Sequence, residues 1–373
     1  MFKKSSIHFI FILQKKLVNH FKSNFLKVIC KSKVKSLSVS DCPSFLILMN
    51  QNIGDMIVCS PIIREIKLAF PNSELEVLIN PVNEEMSKAN PHIDKVHIYR
   101  NKWFNLLPVL VHLRKQKFDF VIELEAKVIT KVIIMLKIIN PRRTLAVSKT
   151  EGRYDMAPDE VLPYDFYTNP ELTHQRDTAL DILRLLNIEP IDKYYDIYLE
   201  ESHRKKALTF LSSFDKSKFL IAFNLEGANI ERRISKEDAA KIMDDLARIH
   251  KNIIFILINK PGNSKISNDI IAETNNAIAY PCFLTTSVLD IAAIISNVDL
   301  IISPDTSIVH MACAFNKPLI AIYENNRSNY DKWSPISSLN HVIFSDEYNN
   351  LKSINTDQVV NYADDLLSEN LIR

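Results

Sequence analysis

The chain has 373 residues, enough for two cores of ordinary size. Apolar residues make up 47% and charged residues 24%, a balance that excludes wholesale disorder, and no apolar run approaches the ~18 residues a membrane span needs. The formal charge of +2 conceals an imbalance, because residues 1–40 hold nine lysines and no acid, leaving 37 bases against 44 acids in the rest.

That first segment also spaces Phe9, Leu13, Leu17, Phe21, Phe25 and Ile29 roughly as one helix face. A basic amphipathic stretch of this kind suits a helix lying on an anionic membrane surface. The competing reading is a disordered or locally packed extension. A signal peptide fits poorly, since the apolar run is short and no clean cleavage site follows it.

From residue 45 the pattern alternates short apolar runs with helical stretches. Strands are expected at 45–50, 75–80, 95–100 and 118–124, with helices at 56–70 and 104–116. The second half repeats the rhythm, with strands at 219–224, 252–258, 277–280, 299–303 and 318–323 and helices at 235–250, 286–297 and 306–315. Continuously apolar strands alternating with helices predict parallel sheets covered on both faces, so the fold class is α/β with two Rossmann-like domains. The expected division is an extension at 1–40, domains at 41–195 and 196–345, and a terminal helix within 346–373.

Five cysteines form no C-x-x-C pair, which fits reduced thiols better than a disulfide framework. No H-E-x-x-H and no Asp-x-Asp occurs, so no metal site is expected. Nucleic acid is an unpromising partner for an acidic body without a basic stripe. Glycine is scarce, with only Gly54, Gly152, Gly227 and Gly262. Each is therefore a candidate for a place where a side chain does not fit.

Three segments could carry chemistry. Gly54-Asp55 follows the first strand at a helix start, so Asp55 is either a cap or a carboxylate general base. Asp305, Thr306 and Ser307 follow another strand and open a helix, with His310 one turn in; helix N-termini favour phosphate. The alternative there is a simple cap and a core histidine. After the strand at 219–224, Gly227 permits a tight turn and Arg232-Arg233 precede the next helix. These arginines either grip phosphate oxygens or form a solvated surface pair.

Together the segments resemble glycosyltransferase family 9, the heptosyltransferases of the lipopolysaccharide inner core. The resemblance rests on IGDMIVCSPIIREIKLAFPNSELEVLINP, NPHIDKVHIY, FDFVIEL, GANIERR and LDIAAIISNVDLIISPDTSIVHMACAFNKPLIAIY, within residues 45–325. It implies a GT-B fold, two Rossmann-like domains facing across a cleft, with inverting, metal-independent transfer and no cofactor. The nucleotide-sugar donor, most often ADP-heptose, would sit on the second domain and a lipid-linked or lipid A-core saccharide acceptor on the first.

Matched position by position, Asp55 falls on the catalytic base and Arg233 where the family usually has a Lys that neutralises the leaving diphosphate. Asp305, Thr306, Ser307 and His310 match the donor site, Asn229 a position often filled by a small hydroxyl residue, and Thr286 one near the nucleobase. Departures are Arg233 for Lys, Ser307 for a frequent Gly, and no acid around 258–265, where some members hold the ribose or base with a Glu. The resemblance also implies a cytoplasmic protein, peripheral on the inner face of the inner membrane. Two alternatives stay open: a same-fold transferase of another surface glycan using a different nucleotide sugar, and a silent nucleotide-sugar-binding scaffold. Acceptor contacts are expected at 88–94 and among Arg142, Arg143, Lys149, Arg153 and Arg176, unless these are surface charge.

Overall fold

A computed structural model describes residues 16, 18–26, 28, 37, 39–49, 51–100, 102–150, 152, 164–227, 230–259 and 264–371. Asn229, Arg153, Gly262 and most of the 1–40 extension lie outside these residues. Among the described residues no helix is long and apolar enough to cross a membrane.

The chain divides into two compact units. The first comprises Met1–Gln51, Ile62–Glu84 and His92–Lys193, and the second Asn52–Pro61, Glu85–Pro91 and Tyr194–Arg373. In chain order, α1 (residues 18–26) precedes β1 (Ser44–Met49), α2 (Ile53–Val58), α3 (Ser60–Ala69), β2 (Glu74–Ile79) and α4 (Glu84–Ala89). Next come β3 (Lys95–Ile98), α5 (Trp103–Gln116), β4 (Phe120–Glu123), α6 (Thr130–Ile139), β5 (Arg143–Ala146), β6 (Phe166–Tyr167) and α7 (Gln175–Leu185).

The first unit holds a six-stranded sheet in the order β3-β2-β1-β4-β5-β6, every pair parallel. Its central strands are apolar throughout because both faces are covered; β1 pairs Phe45 with Leu75 on one side and with Phe120 on the other. Leu46, Leu48, Val121, Leu106, Leu110, Leu113 and Met135 pack one side of this sheet into a core. Fully burying each such side chain is worth about 1.5–3 kcal/mol.

The second unit continues with α8 (Glu201–Leu211), β7 (Phe219–Asn224), α9 (Lys236–Ile249), β8 (Ile253–Ile258), α10 (Ser264–Glu273), β9 (Ala279–Pro281) and α11 (Val288–Ile295). It ends with β10 (Leu300–Pro304), α12 (Ser307–Ala314), β11 (Leu319–Tyr323), α13 (Arg327–Trp333), β12 (Asn340–Phe344) and α14 (Thr356–Leu371). Its sheet runs β12-β11-β10-β7-β8-β9, again wholly parallel. Read from β9, this is the 3-2-1-4-5-6 order of a doubly wound dinucleotide-type fold, and the first sheet has the same order.

Two features depart from the expected bounds. Asn52–Pro61 and Glu85–Pro91 cluster with the second unit, because α2 packs along α12. The last helix is not a separate piece either: Val359, Ala363, Leu366 and Leu367 of α14 are buried in the second unit's core.

Glycine scarcity has a visible consequence. Asn140, Asn187, Asn316 and Asn349 adopt left-handed backbone with φ of 53°, 57°, 47° and 59°. Asn140 caps α6 in this way. Asparagine tolerates that conformation best among residues with a side chain, so it takes the helix-ending role usually given to glycine.

Candidate active site

A cavity of about 740 Å³ opens in the second unit where the strand order reverses, beside the carboxyl ends of β7 and β10. Open α/β sheets place ligands at such a point because the chains leaving the two strands diverge. Asn224 ends β7 and is buried. Its Nδ2 donates to Ser303 Oγ at 3.0 Å, to Thr306 Oγ1 at 3.1 Å and to the Glu226 carbonyl at 3.2 Å. This one amide ties the two strand ends together and sets where α12 begins.

Thr306 is the N-cap of α12 in extended backbone (φ −148°, ψ 178°), with its Oγ1 accepting from the Ile308 N–H at 3.2 Å. Ser307 is the first helical residue and faces the cavity with Thr306. The remaining unpaired N–H groups and the helix dipole give this wall a partial positive charge. One turn in, His310 is buried, its ring 6.2 Å from Tyr195 and 6.1 Å from Trp333.

The Asn52–Pro61 segment supplies the opposite lining. Gly54 lies so close to α12 that a Cβ there would stand 3.0 Å from His310 Cδ2 and 3.7 Å from the Ser307 Cα. Asp55 is the third residue of α2; Asn52 is the N-cap, and its backbone N–H donates to Asp55 Oδ2 at 3.0 Å. Asp55 is therefore a reciprocal capping residue that also lines the cavity. Burial raises its carboxyl above the ordinary aspartate value, although the Asn52 and Asp55 N–H groups pull the other way; the charge of Asp305 adds to the rise.

Asp305 accepts from Asn329 Nδ2 at 2.9 Å and lies 3.7 Å from an Arg232 terminal nitrogen. Burial raises its carboxyl too, opposed by the Asn329 bond and the Arg232 charge and aided by Glu324. Arg232 forks onto the buried Glu324, with Nε 2.9 Å from Oε2 and a terminal nitrogen on Oε1. A bidentate pair fixes the guanidinium plane.

Gly227 makes this placement possible. A Cβ on it would fall 1.9 Å from the Arg232 carbonyl oxygen, so no side chain fits while the 230–232 turn keeps its course. Ile258, Asn259, Ser287, Val288 and Ile291 also line the cavity. Ser287 caps α11 and also donates to Glu85. Among the described residues, no group of three or more His, Cys, Asp or Glu is placed to hold a metal ion.

Comparison with known proteins bears on this arrangement. The profile of glycosyltransferase family 9 (heptosyltransferase) matches residues 109–363. This chain belongs to glycosyltransferase family 9. An Escherichia coli K12 protein named "Putative lipopolysaccharide heptosyltransferase 4" is 25% identical over 359 residues, 92% of this chain and 93% of its own length. The family 9 transferase structure from Veillonella parvula superposes with TM-score 0.73 at 19% identity, covering 88% of this chain and all of that one. E. coli heptosyltransferase WaaC with ADP gives 0.65 at 14%, covering 87% and 99%. The protein is thus a glycosyltransferase of GT-B type with two parallel six-stranded sheets.

Within this family 9 chain, Gly54, Asp55, Gly227, Asp305, Thr306, Ser307 and His310 all line the one cavity. Arg233 and Thr286 are not among its lining residues. Arg233 extends a terminal nitrogen to the buried Glu226 at 3.3 Å, while its neighbour Arg232 faces the cavity. Thr286 is exposed and turns its hydroxyl and N–H to Asp290 at 3.3 and 3.2 Å, leaving Ser287 on the cavity wall.

The cavity residues missed from sequence include Asn224, Asn259, Asn329 and Trp333. Asn224 and Asn259 carried a signal, since each stands at the carboxyl end of an apolar strand. Asn329 and Trp333 lie on α13, a short polar helix without clear periodicity. Of the basic residues expected to meet an acceptor, Lys149 pairs with Glu123, Arg142 with Asp119 at 2.9 Å and Arg176 with Asp177 at 2.9 Å, while Arg153 lies outside the described residues.

Proposed function

We propose that this glycosyltransferase moves a sugar, most simply heptose from ADP-heptose, onto a saccharide of the lipopolysaccharide inner core, with inversion, without a metal and without a cofactor. The observation that carries the reading is the meeting of Asp55 with Asp305 and the α12 N-terminus on one cavity. A donor diphosphate would rest against the Thr306 and Ser307 N–H groups, with sugar hydroxyls donating to Asp305. Asp55 would take the proton of the acceptor hydroxyl as that oxygen bonds to the anomeric carbon. The bond from this carbon to the diphosphate breaks, and its electron pair leaves with the nucleotide.

Two features suit these roles. A carboxyl raised by burial is a stronger base than an ordinary aspartate, and its position within α2 holds it rigidly. Charge building on the leaving diphosphate meets preoriented N–H dipoles that need no reorganisation. Arg233 would add its charge by exchanging Glu226 for a phosphate oxygen, and Asn229 would complete the same loop. His310 braces the α2–α12 approach, and Thr286 holds Asp290, hence the start of α11. The protein would work in the cytoplasm, held on the inner face of the inner membrane through residues 1–40.

One observation favours a second reading, in which the nucleotide is not adenosine. The residue at the end of β8 that lines the cavity is the neutral Asn259, its Oδ1 accepting from Ser267 Oγ. A carboxamide held this way presents N–H donors where a carboxylate would present acceptors. The test of the central role is Asp55→Ala in a single-turnover assay with nucleotide sugar and core saccharide. We expect transfer to fall by about 10³-fold, with nucleotide affinity within twofold. Turnover near that of the wild type would reject Asp55 as the base, whereas no transfer by the wild type itself would leave the silent scaffold standing.

A further inference from the structure

Helix α5 of the first unit is apolar on two sides. Leu106, Leu110 and Leu113 are fully buried against the sheet. Phe104, Leu107 and Val111, at i, i+3 and i+7, share the outward side and are 71%, 48% and 43% exposed; Trp103 stands beside them. A helix of a water-soluble surface carries polar residues on that side, so a second apolar stripe marks a place of contact.

The charge around the stripe says with what. Residues 99–118 hold Arg100, Lys102, Arg114, Lys115 and Lys117 and no Asp or Glu, and residues 126–141, which include the neighbouring α6, add Lys127, Lys131 and Lys137 and no acid. The Lys131 ammonium lies 4.5 Å from the Tyr99 ring centre and 5.2 Å from that of Trp103, a cation held against an amphipathic aromatic. Trp, Lys and Arg around an apolar stripe are the composition of an element lying at a lipid–water boundary. In the same unit α1 repeats the pattern: Val18, Phe21 and Phe25 are all exposed and spaced by three and four residues.

We propose that the outward face of α5 is a docking surface for an anionic lipid bilayer, with Phe104, Leu107 and Val111 entering the headgroup–acyl boundary and the surrounding cations meeting lipid phosphates. It adds to residues 1–40 a contact built into the folded unit, and it does not rest on which sugar or nucleotide is used.

The experiment is co-sedimentation of the full-length protein with phosphatidylglycerol-containing vesicles and with pure phosphatidylcholine vesicles. Replacing Phe104, Leu107 and Val111 together by Ser should lower partition into the anionic vesicles by about tenfold or more. Calorimetric titration with ADP checks that the variant's second unit is intact and separates this outcome from any failure of the donor reading. As a measurement that needs no folded triple variant, brominated lipid should quench tryptophan emission, and Trp103→Phe should abolish the quenching. Unchanged partition of the triple variant would overturn the proposal, as would quenching that survives Trp103→Phe. Equal binding to the neutral vesicles would do so as well. So would a vesicle-inert wild type whose dimer, seen by sedimentation velocity, is lost in the triple variant, because the face would then serve a second copy of the chain.

Discussion

The two sheets share one strand order and differ in what they do with it. In the second unit the ends of β7 and β10 frame an open cavity carrying two carboxylates of raised pKa. In the first, Glu123 at the corresponding end of β4 is buried in an ion pair with the buried Lys149, whose ammonium also donates to the Glu125 carbonyl and lies 4.7 Å from the Tyr164 ring centre. Same topology, different chemistry: fold supplies the place, and the side chains decide whether it is a site or a brace.

The comparison can be broken most forcefully at the ion pair. Lys149→Met leaves Glu123 buried without its partner, and removing one member of a buried pair costs about 3–5 kcal/mol. Urea unfolding should show that loss in the first unit while nucleotide affinity in the second stays unchanged. Loss of nucleotide binding in the variant would mean that the strand end in the first unit is not merely a brace.

A smaller effect is expected at Gly227. In Gly227→Ala the new methyl must displace the Arg232 carbonyl, at a cost of about 1–3 kcal/mol. Because the same turn carries Arg232 to Asp305, nucleotide affinity should fall along with stability. Stability lost without any change in affinity would separate the turn from the site.

The smallest effect has an unusual sign. Asp55 is raised in the folded state, so folding favours its neutral form, and stability is lost as pH rises from the ordinary value of 3.8 through the folded one. Asp55→Asn keeps an acceptor for the Asn52 N–H and removes that penalty. The variant should melt about 1–3 °C higher than the wild type at neutral pH, with the difference vanishing below the ordinary value. A variant that melts lower at neutral pH would contradict the burial argument.

Sequence pattern carried the architecture well where strands were long and apolar. β1, β2, β7, β8, β10 and β11 lie within a residue or two of their expected spans. It failed where other forces decide. β5 and β12 contain RTLA and NHVIF, too short or too polar to stand out, and pair because their neighbours offer free edges. The expected helix at 56–70 begins instead at Ile53, where Asn52 and Asp55 cap one another across the first turn, and breaks at Cys59, two residues before Pro61, which has no N–H to continue it. The 201–211 stretch, for which no element is expected from the pattern, is α8, and it is held by His203 and Lys206 bonding to the buried Asp290.

At the site, residues with a backbone reason were legible: Gly54, Gly227, Asp55 and the α12 start. Arg232 against Arg233 was not, since the choice depends on which guanidinium finds the buried Glu324 or Glu226, 92 and 7 residues away.

The most direct test of the central claim is calorimetric titration of the wild type and Asp305→Ala with ADP, UDP, GDP and CMP, without and then with magnesium. The account predicts metal-independent binding of ADP in preference to the others, lost in Asp305→Ala. Binding of no nucleotide, or ADP binding indifferent to Asp305→Ala, would contradict a donor site in this cavity.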